Sequence, residues 1–287
     1  MIEVIRPGAS AARAKVAILD FDGTLSLIRS GWMDVMVPLC TEQLMALRTG
    51  EAETDLRGLV EEFVWKLTGK ETIYQMMALG DAIRARGGEP LPPLAYKKMY
   101  LDRLWVKIRG RIEDLRTGAV PAERYLVPGT VPLLEELTNR GLTLYLASGT
   151  DDADVKEEAG LLGVAHFFRG RIYGAKDDLT SFSKAQLVRQ ILADTGQSGE
   201  LPVTAEELLV FGDGFVEIEE VSKVGGVAVG VATAEPACQT IDLWKRDRLA
   251  NAGASFVVPN YLHLEKLTRT VFRPTVLWEN EESRAAF

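Results

Sequence analysis

The stretch Lys15-Val-Ala-Ile-Leu-Asp-Phe-Asp-Gly-Thr-Leu25 decides the fold. Its first half is a short apolar run that ends in polar residues, the pattern of a strand buried on both faces. Its second half sets Asp20 and Asp22 two residues apart, so in extended backbone their side chains share one side while Phe21 takes the other. Two neighbouring carboxylates repel each other and resist joint ionisation. A hard cation such as Mg²⁺, which prefers oxygen ligands, removes that conflict. Gly23 lets the backbone turn, and its amide can face a phosphate. An EF-hand is a rival for an Asp-x-Asp run, but Leu25 stands where that loop needs glycine and Gly31 where it needs glutamate.

Outward from this run, similar short apolar segments recur at Leu142–Ala147, Leu208–Phe211, Val227–Val231 and Ser255–Val258. Helical spacing lies between the later ones, at Val131, Leu134 and Leu137 and again at Leu187, Val188, Ile191 and Leu192. Alternation of this kind predicts an α/β fold, a Rossmann-like parallel sheet covered by helices. The segment 26–125 breaks the alternation. It carries no strand pattern, only stripes at helical spacing: Trp32 to Leu47 with Pro38 as a start or kink, Leu56 to Leu67, Ile73 to Ile83, and Leu94, Leu101, Leu104, Ile108, Ile112 and Leu115. The expected organisation is a core of residues 1–25 and 126–287 interrupted by an all-helical insert. The first fourteen residues are left as an extra strand or a disordered end, and the tail after Thr270 has no assigned role.

In open parallel sheets ligands sit beyond the carboxyl ends of the strands, so the residues that follow each run matter most. After Phe211 comes Gly212-Asp213-Gly214-Phe215-Val216-Glu217, a second acidic pair. It looks like a dinucleotide fingerprint at Gly212 and Gly214, but Glu217 replaces the third glycine and would repel a pyrophosphate. It is read as a metal site. After Ala147 comes Ser148-Gly149-Thr150-Asp151, which either offers donors to an oxyanion or makes a plain turn. Lys184 opens the helix that follows, where a cation is unfavourable unless an anion lies nearby; a solvated surface lysine is the alternative.

The chain has 287 residues, a formal net charge of -8, 47% hydrophobic and 26% charged residues, which suits a soluble globular protein and not a nucleic-acid binder. Cys40 and Cys238 are its only cysteines, too few for a disulfide framework, so a reducing cytoplasm is expected. The start has no long apolar run of the kind a signal peptide carries, and the longest apolar stretch, Val224 to Ala234, is too short to cross a bilayer.

In order along the chain, Asp20-Phe-Asp-Gly-Thr24, Ser148, Lys184 and the Asp213/Glu217 pair resemble the four motifs of the haloacid dehalogenase superfamily of phosphohydrolases. The helical segment resembles the inserted C1 cap of its phosphoglycolate phosphatase and β-phosphoglucomutase branch. The resemblance implies a Mg²⁺-dependent enzyme in which Asp20 attacks phosphorus and Asp22 protonates the leaving oxygen, then activates water. It implies metal ligation by Asp20 and Asp213, by the backbone carbonyl of Asp22, and by Glu217 directly or through water; the commoner residue there is Asp. Ser148 and Lys184 would hold phosphate oxygens, with Gly23, Thr24, Gly149 and Thr150 beside them. Dehalogenases and phosphonate-cleaving relatives lack the acid that Asp22 supplies. The expected function is therefore hydrolysis of a small phosphomonoester, with a sugar phosphate favoured. A sugar phosphomutase and a non-catalytic phosphoryl-binding protein are the alternatives. In the cap, Lys70 and Gln75 are expected to contact the leaving group, and Arg29 and Trp32 to line the entrance. The oligomeric state stays open.

Overall fold

The structure, a computed structural model, describes residues 2–176, 183–193 and 203–274. The opening run forms strand β2 (Val16–Leu19), preceded by a two-residue strand β1 (Glu3–Val4), so the amino-terminal segment adds a strand. Four helices follow: α1 (Met33–Met45), α2 (Glu53–Leu67), α3 (Thr72–Arg84) and α4 (Pro93–Thr117). Then come α5 (Thr130–Asn139), β3 (Thr143–Asp151), α6 (Asp152–Leu161), β4 (Ile172–Ala175), α7 (Lys184–Ala193), β5 (Leu208–Gly212), α8 (Phe215–Val224), β6 (Val227–Val231), α9 (Leu243–Asn251), β7 (Phe256–Val258) and α10 (Leu264–Val271).

The seven strands form one sheet in the order β1-β7-β6-β5-β2-β3-β4. Only β1 runs antiparallel to its neighbour. Every residue of β2, β5, β6 and β7 is buried, as expected of strands covered on both faces. Alternation splits their side chains between two cores. Ala17, Leu19, Leu209 and Phe211 join one face, and Val16, Ile18, Leu208 and Val210 the other. The chain leaves β2 for β3 on one side and returns to β5 on the other. The carboxyl end of β2 is therefore the topological switch point, where such sheets open a crevice.

The helical insert leaves and rejoins the core through two paired segments. Leu27 donates to the Tyr125 carbonyl at 2.8 Å, Val127 donates to the Leu25 carbonyl at 2.9 Å, and Ser26 bridges Leu126. This pairing places the insert directly above the first motif.

Several expectations need correction. Pro38 lies inside α1 and does not start it. The stripe read in α4 has the wrong phase at its beginning: Leu94 is exposed, and the buried positions there are Tyr96, Lys97 and Tyr100, whose polar tips hide a packed face from a hydrophobic pattern. Ser148 to Asp151 do not form a turn after β3; they continue it, through an irregularity between Ala147 and Asp151. Strand β4 was not read at all, being only four residues long with Gly174 inside it. The tail from 275 onward lies outside the described residues.

The first motif rests on a residue far along the chain. Tyr261, wholly buried after β7, donates its hydroxyl to the Thr24 carbonyl at 2.9 Å. Substituting Tyr261→Phe leaves that buried carbonyl without this donor and should cost about 1–3 kcal/mol. Denaturant unfolding should show a lower midpoint with an unchanged slope; an unchanged midpoint would show that the bond holds nothing in place.

Candidate active site

The carboxyl ends of β2, β3 and β5 and the α2–α3 turn enclose a cavity of about 100 Å³. Asp20, Asp22, Ser148, Lys184 and Asp213 all line it, as do Gly23, Gly149, Thr150, Arg29, Trp32, Lys70 and Gln75. Of the residues singled out in the sequence, Thr24 and Glu217 lie behind its wall. Thr24 is fully buried, and its hydroxyl has no hydrogen-bond partner among the described residues.

Asp20 is 5% exposed and stands at the end of β2. Lys184, the first residue of α7, puts its ammonium 2.7 Å from Asp20 Oδ1 and 2.9 Å from Glu217 Oε2. The lysine is thus neither solvated nor idle: an anion does explain a cation at this helix start. Burial pushes the Asp20 carboxyl well up, and Lys184 works against that rise while Glu217 and Asp213 add to it. Burial would lower the lysine; its two carboxylates overcome this and hold it above its ordinary range, so it stays protonated.

Asp20, Asp213 and Glu217 each bring an oxygen within 4.8 Å of the others. An anionic, all-oxygen set of this kind fits a hard divalent cation. The Asp22 carboxylate is not part of it. Glu217 has other duties as well. Its Oε1 accepts from the Gly214 amide at 3.0 Å, capping α8, while its Oε2 holds Lys184. Burial raises the Glu217 carboxyl, opposed chiefly by Lys184.

Asp22 faces the second loop. Thr150 donates its hydroxyl to Asp22 Oδ2 at 2.7 Å, and Ser148 Oγ lies 3.4 Å from the same oxygen. Asp22 Oδ1 is buried with no partner among the described residues. Burial raises the Asp22 carboxyl, against the pull of Arg29 and of the Thr150 hydrogen bond. One of its oxygens is thus fixed by a hydroxyl, and the other is free of partners among the described residues. Thr150 lines the cavity and at the same time orients Asp22.

One further expectation changes. The Gly23 amide does not face the cavity; it donates to the Ser26 carbonyl at 2.9 Å, closing the turn. The glycine is needed for its φ of 72°, and because a Cβ there would run into Asp213. Arg29 lines the cavity wall. It is buried, with a fork on Glu158 at 2.7 and 3.0 Å and a third bond to Asp154 at 2.8 Å, so α6 balances its charge. Trp32 is half-buried on the cavity wall, and Gln75 is buried with its side chain free of hydrogen bonds among the described residues. Lys70 is exposed, its ammonium 5.4 Å from the centre of the Tyr74 ring.

Sequence reasoning missed three contributors. Lys245 of α9 reaches Asp213 Oδ2 at 2.9 Å and Glu235 Oε1 at 3.1 Å. Glu235 lines the cavity beside Asp213. Tyr100 of α4 closes it from the insert. None lies in a motif; each reaches the site from a distant element.

A family description, haloacid dehalogenase-like hydrolase, matches residues 14–225. The chain belongs to this family. It is a hydrolase of the haloacid dehalogenase-like type, and its site has the layout of a phosphatase, with a second carboxylate two residues after the first. A 5'-nucleotidase of Pseudomonas aeruginosa is 30% identical over 129 residues, 45% of this chain and 55% of that protein. The chain thus spans about half the length of the curated relative it matches. Among solved structures, a predicted phosphoglycolate phosphatase from Haemophilus somnus aligns over 89% of this chain and 98% of its own, with TM-score 0.55 and 17% identity. A predicted phosphatase from Clostridium acetobutylicum aligns over 90% and 100%, with TM-score 0.54 and 16% identity. A hydrolase of Bacillus subtilis whose structure was determined bound to magnesium aligns over 90% and 99%, with TM-score 0.52 and 14% identity. At these identities the structures share the fold. No helix among the described residues is long and apolar enough to cross a membrane.

Removing the buried cation isolates the effect of charge. Lys184→Met leaves Asp20, Glu217 and Asp213 facing one another, and should lower stability in chelator by about 3 kcal/mol. Added Mg²⁺ should restore more of the melting temperature in the variant than in the wild type. Equal melting temperatures in chelator would show that the lysine does not hold these carboxylates together.

Proposed function

We propose that the protein is a Mg²⁺-dependent phosphomonoester hydrolase that works through an aspartyl-phosphate on Asp20. The observation that carries this reading is the division of labour between two carboxylates on one cavity, Asp20 buried and Asp22 half-buried. Asp20 is paired with a fixed ammonium, whereas Asp22 accepts from the Thr150 hydroxyl and keeps its other oxygen without a partner among the described residues.

Lys184 beside Asp20 favours the ionised form that a nucleophile requires. Attack of an Asp20 oxygen on phosphorus forms the acyl-phosphate bond and breaks the bond to the leaving oxygen. Asp22 gives its proton to that oxygen. The resulting carboxylate then takes a proton from water as the water attacks phosphorus, which releases phosphate and frees Asp20. The Ser148 hydroxyl and Lys184 are placed to hold the other phosphoryl oxygens. Asp20, Asp213 and Glu217 would hold the cation, with the Asp22 carbonyl as a further ligand. When bound, the cation would offset the charge of the phosphoryl group.

The cavity is small and its insert side carries polar groups, the Gln75 amide, the Lys70 ammonium and the Tyr100 hydroxyl, beside the Trp32 ring. These suit a small leaving group with hydroxyls, so a sugar phosphate is the favoured substrate class. The nucleotidase relative adds nucleoside 5'-monophosphates to the test. The insert acts as a cap that excludes water while the leaving group departs.

Phosphate release from a panel of sugar, small-acid and nucleoside phosphates tests the reading. Release should require Mg²⁺, stop in chelator, and fall by at least about a thousand-fold in Asp20→Asn. Lys70→Ala should reorder the panel while an aryl phosphate is still turned over. Conversion of a hexose 1-phosphate to its 6-phosphate without release would favour a mutase. Turnover that survives in Asp20→Asn would refute the proposal.

A further inference from the structure

The turn between α2 and α3 brings Thr68, Gly69 and Lys70 to the cavity. Two close backbone approaches press it onto the core. A Cβ on Gly69, whose φ is 95°, would lie 2.8 Å from the Gly214 Cα, and one on Gly149 would lie 3.1 Å from the Lys70 carbonyl. The turn is thus wedged between the loops that carry Asp213 and Ser148. Shape alone does not hold a wedge in place, because a helix that ends at a domain boundary leaves its last carbonyls unpaired.

Arg248 fills that gap from the core side. It lies on α9, and its guanidinium donates to the carbonyls of Trp65, Lys66 and Thr68, the last two at 2.9 and 3.2 Å. A cation at a helix carboxyl end is also favoured by the helix dipole. The same guanidinium stacks 4.6 Å from the Phe215 ring and 5.2 Å from the Trp244 ring. Trp244 in turn meets Trp65 of α2, with ring centroids 4.1 Å apart. Among the described residues Arg248 forms no salt bridge; its hydrogen bonds go to backbone carbonyls and its faces to aromatic rings, while Asp213 and Glu217 attract its charge from farther off. Phe215 opens α8, the helix that carries Glu217, and Lys245 on α9 holds Asp213. One face of α9 therefore touches both the cap turn and the acidic end of the site.

We propose that Arg248 is a positioning residue, a latch that fastens the carboxyl end of α2 to the core and so sets the Thr68–Lys70 turn over the catalytic edge. Without it the Trp65 carbonyl, which also accepts from the Thr68 amide within the turn, and the Lys66 and Thr68 carbonyls on either side of Leu67 lose the group that fastens them to the core. The kinetic consequence rests on the proposed phosphatase reading; the dynamic one does not.

Amide hydrogen exchange on the full chain separates the two. In Arg248→Gln, peptides covering 65–72 should exchange at least about ten-fold faster, while peptides from β2 and β5 keep their wild-type rates. Arg248→Lys, which retains the charge but reaches fewer carbonyls, should fall between, and its exchange decides the matter if the glutamine variant does not fold. In kinetics, Arg248→Gln should raise KM for the best substrate of the panel by several-fold more than for 4-nitrophenyl phosphate, with kcat changing less. Wild-type exchange over 65–72 in both variants would overturn the latch. Faster exchange with no phosphatase activity in any form would keep the latch and sink the phosphatase reading instead.

Discussion

Lys184 sits between Asp20 and Glu217, with Asp213 close by, in a part of the protein almost closed to water. Carboxylates gathered in such a place repel one another, so something must offset their charge. The buried ammonium offsets part of it, and a divalent cation held by the all-oxygen cluster would offset more. This solves the problem that a net charge of -8 sets for a phosphate binder. The positive charge need not be spread over the surface. It is concentrated at one strand edge.

The rest of the architecture serves that concentration. The parallel sheet brings the ends of β2, β3 and β5 side by side at the switch point, and each strand delivers one polar loop. The insert then closes over the edge. Its two linkers pair with each other beside the first motif, and its α2–α3 turn meets the core at glycines, where no side chain keeps the backbones apart. Gly23 serves the same end inside the core, letting Asp213 approach the first motif. Arg29 links this edge to α6 through Glu158 and Asp154. Burial pushes Glu158 up to about 7 despite that arginine, so the network beneath Asp22 is itself finely balanced in charge.

Much of this was legible in the sequence because it is local. A strand ending in Asp-x-Asp-Gly, a second ending in Ser-Gly, a third ending in Gly-Asp-Gly and a lysine at a helix start each carry their meaning within a few residues. The helical stripes of the insert were legible for the same reason. What stayed hidden depends on contacts between distant elements. Lys245, Glu235 and Tyr100 reach the cavity from α9, the segment after β6 and α4, and no local pattern marks them. The Gly23 amide reads as facing phosphate because its loop does; the structure gives it to the Ser26 carbonyl. The bond from the Thr150 hydroxyl to Asp22 joins residues 128 positions apart, which no local pattern marks. Arg29 follows the first motif and lines the cavity, but nothing near it in sequence shows what balances its charge. Its partners, Asp154 and Glu158, lie more than a hundred residues later, beyond any windowed reading.

The central claim is that phosphorus becomes bonded to Asp20. An acyl phosphate, unlike a free carboxylate, is reduced by borohydride to an alcohol, so trapping during turnover would leave homoserine in place of aspartate. The account predicts homoserine at position 20 and nowhere else, dependent on substrate and absent in chelator. Steady turnover with position 20 recovered as unmodified aspartate, or homoserine at another carboxylate, would contradict it.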